Sequence, residues 1–168
     1  MKRAYHHGDL AAALLEAAVA QVRLAGIESV SLRGIAQAIG VSPAAGYHHF
    51  RDKEALMASV CQYGRDALAE RFQAAIQRIS GTSDDDAVDR FEAMGDAYIQ
   101  FAVDEPDLFR LAFHPVSHMD QAESGDDAMV MLRECLDELD RRGMLRQSGA
   151  RGTAILAWTA VHGFAELL

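Results

Sequence analysis

The side chains best suited to chemistry stand together in the first third of the chain. Tyr47, His48 and His49 follow one another and supply hydrogen-bond donors and aromatic faces, and Lys53 adds a cation just beyond them. Immediately before them, Ala44, Ala45 and Gly46 are small enough to let a backbone approach a partner closely. Donors beside a surface of little bulk suit the holding of an acceptor-rich polyanion. They do not suit bond breaking. The chain has no Gly-rich phosphate loop and no Gly-x-Ser-x-Gly elbow, and no paired carboxylates stand out, so no catalytic residue is assigned. His114 and His118 are spaced as a zinc pair on a helix would be, with Asp120 and Glu123 nearby. Pro115 breaks that helix and no glutamate follows His114, which excludes a metalloprotease. A regulatory metal site stays open there, and the main reading assigns neither metal nor cofactor.

To hold such a cluster the chain must build firm helices, and its punctuation is helical from end to end. Runs of β-branched residues with period two are absent. Asp9 is placed to cap a first helix through Ala12, Leu15, Val19, Val22 and Leu24, with Gly26 as its stop. Ser31 precedes a second helix over residues 32–39, stopped by Gly40. Ser42-Pro43 then offers a hydroxyl cap and a proline at the first helical position of a short third helix that ends near Phe50. Two helices joined by a tight turn around Gly40-Val41-Ser42 form the pattern of a helix-turn-helix. In that arrangement helix 32–39 lies across a DNA backbone while helix 43–49 enters the major groove by its N-terminus. Leu32, Ile35, Ile39, Val41 and Phe50 would hold the unit together.

Asp52 caps a long fourth helix reaching about Ile79, with Leu56, Val60, Leu68, Phe72, Ile76 and Ile79 at helical spacing. Ser80-Gly81-Thr82-Ser83 reads as a linker, and Asp84-Asp85-Asp86 sets negative charge at the positive end of the next helix. That helix carries Val88, Phe91, Met94, Tyr98 and Phe101 on one face and stops before Pro106. A short helix over 107–113 and a loop over 115–124 follow. Met129, Leu132, Leu136 and Leu139 mark another helix, ending at Gly143. The last helix starts near Gly149, turns Ile155, Trp158, Val161 and Ala165 inward, and runs to Leu168 without a stop signal. The expected fold class is all-α.

Composition agrees with a globular chain. Of 168 residues, 50% are hydrophobic and 24% charged, with only 3 prolines, which excludes disordered, collagenous and disulfide-stapled classes. The uncharged stretch from Gly152 to Ala165 is shorter than the ~18–20 residues that span a bilayer. Asp9 and Glu16 interrupt any signal-peptide core, so a cytoplasmic protein is expected, with Cys61 and Cys135 buried and reduced. The net charge of −9 is unevenly spread: residues 1–55 hold six Lys/Arg against five Asp/Glu, and the rest holds ten against twenty. An acidic body behind a near-neutral, His-rich head can orient a duplex towards that head.

Tyr5-His6-His7-Gly8-Asp9-Leu10, Ser31-Leu32-Arg33-Gly34-Ile35-Ala36, Gly40-Val41-Ser42 and Tyr47-His48-His49-Phe50-Arg51-Asp52-Lys53-Glu54-Ala55-Leu56 together resemble the DNA-binding head of TetR-family transcription regulators. Pro106-Asp107-Leu108-Phe109-Arg110-Leu111 and Trp158-Thr159-Ala160-Val161-His162-Gly163 resemble the body of the subset with a Trp-x-x-x-His-Gly element. The resemblance implies a helix-turn-helix domain over 1–55, a connecting helix over 52–79, and a helical effector-binding and dimerisation domain over 56–168. By similarity Arg33 would read a base edge with its fork. Pro43, Ala44 and Ala45, with Ser42 before them, would lie nearest the bases. Tyr47, His49 and Lys53 would bind phosphates, and His48 either bases or backbone. Gly46 departs from the family, where an aliphatic residue often packs inward, and should loosen its helix by ~1 kcal/mol relative to alanine.

The function implied is that of a one-component regulator, a repressor and not an enzyme. It would bind double-stranded palindromic DNA as a homodimer, with half-sites ~34–36 Å apart or slightly more. The last two helices would pair with their mates as a four-helix bundle, and Ala154, Ala157, Ala160 and Gly163 would permit close approach. The body would hold a small, mainly apolar effector. Met94, Tyr98, Phe109, Phe113, Trp158 and His162 are its candidate walls, with core packing as the alternative for each. A helical ligand-binding or interaction protein without operator binding is the rival reading, kept open by Gly46 and by the near-neutral head.

Overall fold

The computed structural model describes residues 7–113, 127–145 and 149–168, apart from the side chains of 7–9 and 149–151. α1 spans His7–Ala25, so it begins two residues before the expected cap Asp9, which falls within its first turn. A single 3-10 turn over Ile27–Ser29, which the sequence pattern does not announce, leads to the buried Val30. Four side chains then set where helices begin. Ser31, Ser42, Asp52 and Ser83 accept hydrogen bonds from the backbone N–H of Gly34 (3.1 Å), Ala45 (3.2 Å), Ala55 (2.8 Å) and Asp86 (3.1 Å). Each satisfies an amide that a helix leaves unpaired at its start. The helices they open are α2 (Leu32–Ala38), α3 (Pro43–His49), α4 (Lys53–Ile76) and α5 (Asp84–Asp104). α6 (Pro106–Phe113), α7 (Asp127–Arg141) and α8 (Gly149–Ala165) complete eight α-helices among the described residues, which contain no strand. The expected loop over 115–124 lies outside the described residues.

These residues form two compact units, one within 1–64 and 107–119, the other within 65–106 and 120–168. The division cuts α4 after Gly64 and separates Pro106 from Asp107. In the first unit α1 packs against α2 and α3, and Leu14, Val22, Val30, Leu32, Ile35 and Leu56 are buried at its centre. α6 lies hard against α4 in this unit because position 64 has no side chain. A Cβ there would stand 3.1 Å from the Leu108 carbonyl oxygen and 3.2 Å from the Ala112 Cβ.

In the second unit α5 packs on α7 and α8, and α7 on α8, around Leu68, Phe72, Met94, Tyr98, Phe101 and Leu136. The segment expected as a linker does join α4 to α5 outside any helix, and it is tied down. Arg90 donates to the Gly81 carbonyl (2.9 Å), Arg142 donates to the Thr82 carbonyl (3.0 Å), and Ser83 and Asp86 cap each other reciprocally. Glu138 accepts from both Arg90 (2.9 Å) and Arg142 (2.8 Å), and Arg142 also reaches Asp84 (2.9 Å). The hydrogen bond from Arg142, with the positive charges of both arginines, holds the Glu138 carboxyl below its ordinary range. The Ser83 hydrogen bonds do the same for Asp86.

The inward face of α8 differs from expectation. Ile155 is 69% exposed, while Ala154 and Ala165 are buried and Trp158 and Val161 half-buried. α8 is apolar on nearly every side, so periodicity does not reveal which stripe is covered; its neighbours choose the stripe through Ala154. Cys61 and Cys135 are both buried as free thiols, and burial pushes Cys135 up to about 11.

Candidate nucleic-acid interface

α2 and α3 meet through a turn that Gly40 makes possible with φ 77°, a left-handed conformation that glycine adopts without strain. The Val41 amide closes the turn on the Ala36 carbonyl at 2.9 Å. Beyond it Ser42 commits its hydroxyl to the Ala45 amide, and Pro43 takes the first helical position. Ser42 and Ala44 are exposed, and Pro43 and Ala45 half-buried, so the first turn of α3 offers little bulk to a partner. Tyr47, 52% exposed, and the exposed His48 follow, while His49 is half-buried and meets His48 edge-on at 5.5 Å between ring centroids. Arg33 is exposed on α2, and Lys53 is half-buried in the first turn of α4.

Gly46 has a packing role that its helix propensity does not suggest. It is buried, and a Cβ at that position would lie 3.3 Å from the Ala36 Cβ and 3.5 Å from Leu32 Cδ1. Its missing side chain lets α3 seat closely on α2, and this sets a packing gain against the expected loosening. Arg51, to which the sequence pattern assigns no role, has an 82% exposed side chain whose Nε pairs with Asp52 Oδ2 at 2.9 Å.

Residues 14–60 match the model of bacterial regulatory proteins of the tetR family, and residues 91–168 match that of the tetracyclin repressor-like C-terminal domain. The chain belongs to the TetR family. It is a transcription regulator with an N-terminal helix-turn-helix DNA-binding domain followed by a helical C-terminal domain. Solved structures resemble it over nearly its whole length. A protein with unknown function from Rhodococcus sp. RHA1 is 29% identical, with a TM-score of 0.83 over 99% of this chain and 86% of that one. A TetR-family transcriptional regulator from Pectobacterium atrosepticum is 25% identical, with a TM-score of 0.72 over 95% and 81% of the two chains. The fatty acid degradation regulator FadR from Bacillus halodurans shares the fold at 15% identity, with a TM-score of 0.66 over 98% and 84%. No curated protein matches the chain.

In this TetR-family chain four of the six candidate effector-site residues share the second unit. Tyr98, 1% exposed, has its hydroxyl 2.8 Å from His162 Nδ1 and meets the Trp158 ring edge-on at 5.3 Å. The Trp158 and His162 rings stack with centroids 6.0 Å apart, and Met94 is buried in the same unit. Phe109 and Phe113 belong to the first unit, where their rings meet edge-on at 5.1 Å. No group of three metal-binding side chains occurs among the described residues. His114, His118, Asp120 and Glu123 lie outside them. No described helix is long and apolar enough to cross a membrane.

Proposed function

We propose that this TetR-family regulator is a cytoplasmic repressor that binds a palindromic operator as a homodimer and lets go when a small, mainly apolar effector enters its C-terminal body. The observation that carries the reading is the outer face of α8. Ile155, Leu156 and Phe164 are 69%, 66% and 52% exposed, and the small residues Thr159, Ala160 and Gly163 lie exposed among them. An apolar face with small residues among its large ones suits close packing on a second copy of the same helix. Two-fold pairing would present two copies of α3 to successive major grooves, so the operator repeats its half-site at ~34–36 Å.

The Tyr98–Trp158–His162 cluster, an aromatic surface with one polar pair, is where we place the effector's contacts in the second unit. An effector that favours the form unable to fit DNA, with a coupling of ~1–3 kcal/mol, lowers operator affinity roughly 5–150-fold. The rival reading, a helical body with a silent head, loses one of its supports because Gly46 is buried by close packing. The test is selection of random duplex DNA by the purified protein, with sedimentation to give its mass. The expected result is a palindrome bound by a dimer. No enrichment by folded protein overturns operator binding, and a monomer at all concentrations overturns the dimer.

A further inference from the structure

Cations are scarce in the DNA-binding head. Of the six in residues 1–55, Lys2 and Arg3 lie outside the described residues and Arg23 lies over the Tyr63 ring at 5.9 Å. Arg33, Arg51 and Lys53 are left. A protein that holds a duplex through counterion release needs cations beside phosphates, and each neutralised phosphate adds ~0.9 to the slope of log affinity against log salt.

Arg51 is built for this task. Phe50, which ends α3, is extended at φ −124° and ψ 114°, and it turns partly into the domain. Side chains on extended backbone alternate in direction, so Arg51 points away from the domain at the C-terminal end of the recognition helix. Asp52 fixes it there: one carboxylate oxygen accepts from the Ala55 amide at the start of α4 (2.8 Å), and the other accepts from Arg51 Nε (2.9 Å). The two terminal guanidinium nitrogens have no partner among the described residues. A planar fork already held at one nitrogen loses less freedom when it grips an oxyanion.

We propose that Arg51 is a further DNA-contacting residue of this regulator, gripping a backbone phosphate beside the end of α3 through Nη1 and Nη2. The inference rests on the DNA-binding reading of the helix-turn-helix and adds a contact that contributes affinity without sequence preference. Wild type, Arg51→Ala and Arg51→Lys are titrated by fluorescence anisotropy across a salt series. The probes are a mixed-sequence duplex and the duplex enriched by the wild type. Because a dimer carries two copies of Arg51, Arg51→Ala should lower the salt slope by ~1.8, ~0.9 for each protomer, on both duplexes and weaken both by the same factor. Arg51→Lys should keep the slope and bind more weakly, because an ammonium cannot reproduce the fork. A folded Arg51→Ala protein with the wild-type slope, or with a loss confined to the enriched duplex, overturns the inference and leaves the DNA-binding reading standing. A wild type that binds neither duplex at any salt overturns that reading and the inference with it.

Discussion

Replacing Gly64 by alanine should stabilise the protein less than the same replacement at Gly95, although both glycines lie inside long helices. The intrinsic term is shared: each change gains ~0.8–1.0 kcal/mol of helix propensity. The surroundings differ. At Gly95 a new Cβ meets nothing among the described residues within 4 Å, whereas at Gly64 it would stand 3.1 Å from a backbone oxygen of Leu108 and 3.2 Å from the Ala112 Cβ. Unstrained carbon contacts lie at about 3.5–4.0 Å, so α6 must move off α4 by a few tenths of an ångström. Leu108, Phe109 and Leu111 are 0%, 3% and 5% exposed, so the shift disturbs a closed core. Overpacking of this kind costs ~1–3 kcal/mol. Gly95→Ala should therefore gain ~1 kcal/mol, and Gly64→Ala should fall ~1–3 kcal/mol below it. Urea unfolding followed by helical circular dichroism, at one protein concentration and with unchanged m, measures the difference. Ala112→Gly should cost less in the Gly64→Ala background than in the wild type, because it removes one of the two close contacts while the Leu108 carbonyl stays in place. Equal stabilities for the two alanine variants would refute the reasoning.

Three further outcomes are expected. Glu138→Gln should be ~1 kcal/mol less stable at neutral pH, since it replaces charge-assisted hydrogen bonds by neutral ones. Because the folded Glu138 carboxyl titrates below its ordinary value of 4.5, its contribution is present above that value and is lost as pH falls through the lowered folded one. The gap between variant and wild type should thus close in acid, and a gap that persists there contradicts the assignment. A Cβ at Gly163 would meet no other described part of the chain within 4 Å, so Gly163→Leu should leave the fold intact and abolish association; an unchanged dimer in sedimentation counts against the α8 interface. Arg33→Ala should lose ~1–3 kcal/mol on the operator and relax one base position, whereas Lys53→Ala should weaken all sequences alike. Equal losses from both on operator and random DNA would sink these two roles.

The helix starts and the helix-turn-helix pattern were legible in the sequence because their determinants are local. Ser31, Ser42 and Asp52 each bond an amide three residues on, so the cap and its helix are read from one short stretch. The residues proposed to meet DNA through α3 are legible for the same reason, since the helix and the turn before it lie within a dozen residues. Most of what escaped that reading depends on a partner distant in the chain. The covered stripe of α8 could not be told from its apolar residues, and Ile155 fell on the outer side. The closeness of α6 to Gly64, and the ties of Arg90 and Arg142 to Glu138 and to the turn before α5, join residues that share no sequence pattern. Periodicity and capping follow from the backbone's own repeat and its unpaired amides. Which apolar face is covered, which glycine is pressed and which carboxylate meets two arginines follow only from how the helices lie against each other in three dimensions.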